Sequence, residues 1–164
     1  MKKLFLFAVL ATLTGAPVVA GVSGHGDGHG AHDSRGEQMA AGMPGNRNKV
    51  SRTVKVKMKE TDDGEMVFTP SALEFEQGET IRFMVVNEGE LDHEFVLDTP
   101  ERNAMHKQAM SAQMQMHNTP NAVTLAPGKR GEIIWNFSND GIFEFACLIP
   151  GHYESGMYGQ IAVQ

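Results

Sequence analysis

The sequence predicts an all-β fold, a sandwich or barrel of short strands, on three observations. Apolar and polar residues alternate with period two in several short runs, Gly and Pro punctuate those runs, and one stretch alone has the character of a helix. Ahead of them lies a Gly- and His-rich segment with almost no aliphatic side chains.

The N-terminus reads as a secretory signal. Lys2 and Lys3 form a positive start, Leu4 to Leu13 is a short apolar run, and Val18-Val19-Ala20 is a small-residue cleavage site. Cleavage is expected after Ala20. The apolar run is too short to span a bilayer, and no cysteine lies near the cut to carry a lipid. The expected location is therefore the periplasm, with no membrane anchor. Residues 21–49 cannot bury enough apolar surface to fold and are expected to be a flexible tail containing His, Gly and Met.

From Val50 the texture changes, and residues 50–164 suffice for one domain. Val54, Val56 and Met58 alternate with Lys55, Lys57 and Lys59, the pattern of a half-buried strand. Met66-Val67-Phe68, Leu73-Glu74-Phe75, Ile81 through Asn87 and Glu94 through Leu97 read as further strands. So do Glu132 through Phe137, after the turn Ala126-Pro127-Gly128, then Gly141 through Cys147 and Gly159 through Val163. The exception is residues 99–118. Thr99 suits an N-cap, Pro100 the first helical position and Glu101 the positive end of the dipole, which predicts a helix through about His117. On a 3.6 period Met105, Ala109, Ala112 and Met116 share one face, expected to be apolar filling, while His106, Met110, Met114 and His117 share the adjacent one.

Cys147 is the one cysteine. It opens a run in which His152 and Met157 follow, each separated from the last by four residues. Thiolate, imidazole and thioether are three of the ligand types of a blue-copper site, which also takes a second imidazole. A lone cysteine forms no internal disulfide, and beside His and Met it reads as a metal ligand. Among seven His, His25, His29 and His32 lie on the tail, and His106 and His117 on the predicted helix. His93 sits where a strand emerges from a loop and is the candidate for the second imidazole. Pro150-Gly151 turns the chain between Cys147 and His152, and Gly156 lets Met157 fold beneath. The mixed donor set holds both the soft monovalent and the harder divalent ion with little rearrangement.

Without Lys2 and Lys3, the 14 basic and 20 acidic residues give a formal charge of −8. That argues against nucleic acid or an anionic membrane as partner and suits metal cations or a basic protein.

Phe68-Thr69-Pro70, Gly78-Glu79-Thr80-Ile81, Asn87, His93-Glu94-Phe95 and the run from Cys147 through Ile161 resemble the cupredoxins, over nearly all of residues 50–164. The likeness is to the periplasmic copper-tolerance cupredoxins of the CopI type, which also look His- and Met-rich outside the core. The resemblance implies a Greek-key β-sandwich with one type 1 copper ion at one end, and by motif it carries the ligands over as His93, Cys147, His152 and Met157. One departure stands out. Many cupredoxins place Asn directly after the first ligand His, where it ties the ligand loops together; this chain has Glu94, and such neighbours shift potential and geometry.

The 11 methionines divide between core filling and metal capture. Met84, Met105 and Met116 are expected to fill the core. His106 to His117 spans about 16 Å of helix at 1.5 Å per residue, too far for one ion. The pairs His106/Met110 and Met114/His117 are neighbours on a helix, and either bind accessory copper weakly or form a solvent-facing stripe. His25, His29 and His32 either capture divalent copper, with Met39 and Met43 adding monovalent capture, or form a plain spacer.

Two functions compete. One is a copper-binding protein supporting tolerance in the periplasm, its partners copper ions and periplasmic copper-handling proteins. The other is a one-electron carrier between periplasmic redox partners, for which the four-ligand core alone suffices. A multicopper oxidase is disfavoured, since the chain has one domain and no paired His-x-His motifs for a trinuclear cluster. No enzymatic activity is expected.

Overall fold

The computed structural model describes residues 39–112 and 119–164, with the backbone alone for 110–112. Ten strands and one α-helix run in the order β1 (Met43–Pro44), β2 (Arg52–Glu60), β3 (Met66–Thr69), β4 (Ala72–Phe75), β5 (Thr80–Asn87), β6 (His93–Asp98), α1 (Pro100–Ala112), β7 (Ala122–Leu125), β8 (Arg130–Asn136), β9 (Gly141–Ala146) and β10 (Tyr158–Val163). They form two five-stranded sheets, ordered β1-β8-β5-β2-β3 and β4-β10-β9-β6-β7. The expected sandwich is present. Among the described residues, no helix is long and apolar enough to cross a membrane.

Period-two alternation places the core. On β2, Val56 and Met58 are fully buried while Lys55 and Lys59 are exposed. β5 sits mid-sheet, parallel to β2 and antiparallel to β8, and sends Ile81, Phe83 and Val85 inward. β6 is buried along its whole length. Phe95 and Leu97 face the main core, while Val96 joins Ala122, Ala146 and Leu148 in a second cluster. Phe95 stacks on Phe145 at 5.3 Å, and Phe68 meets both rings edge-on at 5.9 and 5.1 Å. Such aromatic pairs add about 0.5–1.5 kcal/mol each beyond the area they bury. This aromatic layer and Cys147, the residue that follows β9, belong to one buried cluster.

The flexible tail was expected to reach residue 49, but residues 39–49 belong to the sandwich. β1 pairs with β8, Ala41 is fully buried, and its carbonyl accepts the Trp135 indole N–H at 2.9 Å. Asn139 donates to the Ala40 carbonyl at 2.9 Å. The segment is poor in aliphatics, but the edge of β8 offers unpaired backbone groups that recruit it. Met39 packs against the core rather than standing free for metal capture, and Met43 lies in β1. β7 is a second strand absent from the expectations; its run Ala122-Val123-Thr124-Leu125 does not alternate apolar with polar residues.

Thr99 caps α1 as expected, its hydroxyl accepting the Arg102 N–H at 3.2 Å. The helix is described to Ala112; residues 113–118, with Met114, Met116 and His117, lie outside the described residues. The expected apolar face is not the packed one. Met105 is 70% exposed, whereas Asn103 is buried and donates to the Glu144 carboxylate of β9 at 3.0 Å. One turn on, the Lys107 ammonium lies over the Tyr153 ring at 4.4 Å and donates to Glu154 at 2.7 Å. A polar row therefore docks the helix, which a pattern read on hydrophobicity misses. Met84 is likewise half-buried rather than a core residue.

Candidate metal centre

Strand order brings the candidate residues to one end of the second sheet. β9 lies between β10 and β6, antiparallel to both. The end of β9, the start of β10 and the start of β6 therefore share an edge. Cys147 follows β9, Met157 precedes β10, and His93 opens β6. His152 lies in the turn between Cys147 and Met157.

That turn is held by its own backbone. The Cys147 N–H donates to the Met157 carbonyl at 3.0 Å, Met157 N–H to the His152 carbonyl at 3.1 Å, and His152 N–H to the Ile149 carbonyl at 3.0 Å. Gly151 and Gly156 carry φ of 89° and 94°, values other residues adopt only with strain. The loop thus presents its side chains from a fixed frame.

His93, Cys147 and His152 converge, with ligand atoms all within 4.8 Å of one another. His93 Nδ1 stands 3.2 Å from His152 Nδ1, and Cys147 Sγ stands 3.4 Å from His152 Nδ1. Cys147 and His93 are fully buried, and His152 is 8% exposed. Met157 is fully buried in the same apolar cluster as Cys147.

Burial sets the electrostatics. It pushes the Cys147 thiol up to about 12, although N–H groups of Glu94 (3.3 Å from Sγ) and Ile149 act in the other direction. It holds both imidazoles below their ordinary value, opposed at His93 by the Glu60 carboxylate and reinforced at His152 by His93. At neutral pH the donors are two neutral imidazoles and a protonated thiol. Two imidazole nitrogens turned toward each other beside a sulfur, with hydrocarbon around them, fit a borderline-soft cation that takes nitrogen and sulfur together. Copper meets that description.

Three further side chains surround the donors: Asn87, Glu60 and Glu94. Asn87 is buried and donates to the carbonyls of Leu91 at 2.7 Å and Leu125 at 2.8 Å, while accepting the Gly89 N–H at 2.9 Å. It ties the loop before His93 to the end of β7. Glu60, the last residue of β2, bonds His93 Nε2 at 2.8 Å. Nothing in the local sequence marks Glu60, because its partner lies on another strand. Glu94, flagged as a departure, is almost fully buried. Burial holds its carboxyl above the ordinary range, against hydrogen bonds from the Leu148 N–H and the Thr124 side chain. It thus joins β6, β7 and the Cys147 loop, the tie that Asn makes elsewhere.

Of the accessory candidates, His106 is half-buried on α1 beside Asp98, Arg102 and Met105. The side chain of Met110, and all of Met114, His117, His25, His29 and His32, lie outside the described residues.

Residues 54–164 match the family described as copper binding proteins, plastocyanin/azurin family. The chain is 43% identical over 141 residues to a protein of Rubrivivax gelatinosus named copper-resistant cuproprotein CopI, covering 85% of this chain and 83% of the relative. It is 34% identical over 167 residues to a protein of the same name from Pseudomonas aeruginosa, covering 84% and 90%. Among solved structures, auracyanin B superposes with a TM-score of 0.58 at 22% identity, covering 79% of this chain and 96% of that one.

Proposed function

The chain belongs to the plastocyanin/azurin family of copper-binding proteins, and from that premise we propose that it is a periplasmic copper-handling protein supporting copper tolerance. His93, Cys147, His152 and Met157 would hold one ion. The observation that carries this reading is the convergence of two imidazole nitrogens and a thiol in a buried pocket. Bound copper would supply a one-electron couple. The chain's own part is to hold the donors in place. The β9–β10 loop fixes Cys147 and His152 through its backbone hydrogen bonds, Asn87 fixes the approach to His93, and the apolar cluster excludes water from the sulfur. The similarity to relatives named copper-resistant cuproproteins supports a tolerance role. The His residues of segment 21–49 and the His and Met residues of segment 99–118 support it too, because an electron carrier needs no ligands beyond its core.

The alternative is a one-electron carrier between periplasmic proteins. Its support is the placement of His152, which is the most exposed of the three converging donors at 8% and lies beside exposed Pro150. Tyr153 next to it stacks on half-exposed Tyr158 at 4.9 Å. In either case the protein is not an enzyme.

The test is a titration with monovalent and divalent copper, counting bound ions while recording visible and electron paramagnetic spectra. One ion with a thiolate–copper band, lost in Cys147→Ser, is the expected core result; a band that persists in Cys147→Ser would refute the ligand set. Further ions that disappear when His106, Met110, Met114 and His117 are replaced favour copper handling. A single ion in all variants favours the carrier.

A further inference from the structure

Glu60 lies behind His93 as seen from the candidate centre. His93 Nδ1 faces His152 Nδ1 at 3.2 Å, and the opposite ring nitrogen, Nε2, meets Glu60 Oε1 at 2.8 Å. The carboxylate is gripped from a third direction. Its oxygens accept the N–H groups of Glu90 at 2.9 Å and Leu91 at 3.1 Å. With two N–H donors and a ring nitrogen facing its oxygens, the side chain has the surroundings of a carboxylate, which accepts hydrogen bonds only. Gly89 lies so close that a Cβ there would collide with the carboxylate oxygens. The loop leading into β6 is therefore wrapped around this one side chain, which is 22% exposed.

We propose that Glu60 is a positioning residue that locks His93 in the Nε2–H tautomer and biases the centre toward divalent copper. The inference rests on the reading of His93 as a ligand. An ionised carboxylate only accepts hydrogen bonds, so the ring nitrogen facing it must carry the proton. Nδ1 then keeps its lone pair, directed at His152 and Cys147. A carboxylate bonded to the far N–H also makes the imidazole a stronger donor, as in carboxylate–histidine–metal arrangements. Stronger nitrogen donation and a fixed negative charge both favour the divalent over the monovalent ion.

The test compares native protein with Glu60→Gln by two readouts. The first needs no metal: long-range proton–nitrogen correlation spectra report the His93 tautomer. Native protein should show Nε2–H almost alone, and Glu60→Gln a mixture, since an amide cannot satisfy two loop N–H groups and the ring with acceptors only. The second is the midpoint potential of the copper form. The preference for divalent over monovalent ion should fall about tenfold in Glu60→Gln, a rise of about 59 mV for a one-electron couple. An unchanged tautomer and unchanged potential, with the thiolate–copper band intact, would overturn the inference. If Glu60→Gln fails to fold, Gly89→Ala displaces the carboxylate without removing it. That variant should move both readouts in the same direction, and native values there would overturn the inference as well. If instead His93→Ala keeps the native spectrum and potential, the ligand reading has failed, and the potential effect fails with it, whereas the tautomer still tests the Glu60 contact by itself.

Discussion

Copper loading should release about one proton per ion at pH 7.5 and above, and Cys147 is its source. Burial pushes this thiol up to about 12 from an ordinary 9.0. At pH 7 it lies about five units below its titration point, so exposing the thiolate costs about 7 kcal/mol, at 1.36 kcal/mol per unit. Only a bond to a thiophilic ion offsets that, so the proton leaves as the metal enters. His93 and His152 contribute none, because burial holds both below the ordinary imidazole value and they are already neutral. The sign follows directly. A rising pH removes the competing proton, and affinity should climb about tenfold per unit. Because the folded thiol stays protonated past 9.0, the climb should continue through pH 9 instead of levelling there. Calorimetric titration in buffers of different protonation enthalpy, with a competing chelator, measures both quantities. Zero protons released at pH 8, or a plateau of affinity near pH 9, would show that the thiolate exists before the metal and would refute the reasoning. Cys147→Ser should bind more weakly and release no proton over the same range.

Three further outcomes are expected. Gly42→Ala should lower stability by at least about 2 kcal/mol, because φ there is 125° and a Cβ would strike the Asn136 carbonyl; a native-like melting curve would mean that β1 is not docked as described. Asn103→Ala removes the amide that reaches Glu144 from α1 and should cost about 1–3 kcal/mol, read as faster hydrogen exchange in the helix. Unchanged exchange would place the anchor elsewhere, at Lys107. Met157→Leu preserves core volume, should change stability by less than about 1.5 kcal/mol, and should retain copper at a higher potential. A potential equal to the native value would remove Met157 from the ligand set.

Strands such as β2 and β10 were legible because one face is buried and the other wetter, so their sequences alternate. β7 and β1 were not. The first does not alternate apolar with polar residues, and the second is held by hydrogen bonds to β8 and by the Trp135 indole, both of which are remote in sequence. The helix start was legible from Thr99, Pro100 and Glu101, while its packed face was not. It docks through Asn103 and Lys107, and their partners Glu144, Tyr153 and Glu154 come from β9 and its loop.

The sequence by itself determined the all-β class and marked Cys147, His152 and Met157 as a group, because a turn-forming loop keeps nearby residues near in space. It also pointed to His93 as the partner imidazole, through the strand start and the family motif. Only the tertiary structure decided which atoms face which. The antiparallel order β10-β9-β6 brings His93 Nδ1 to 3.2 Å from His152 Nδ1, and the end of β2 delivers Glu60 to the far side of the ring. Long-range pairing of this kind arises from the closing of two sheets over a shared aromatic core, and no local pattern of residues encodes it.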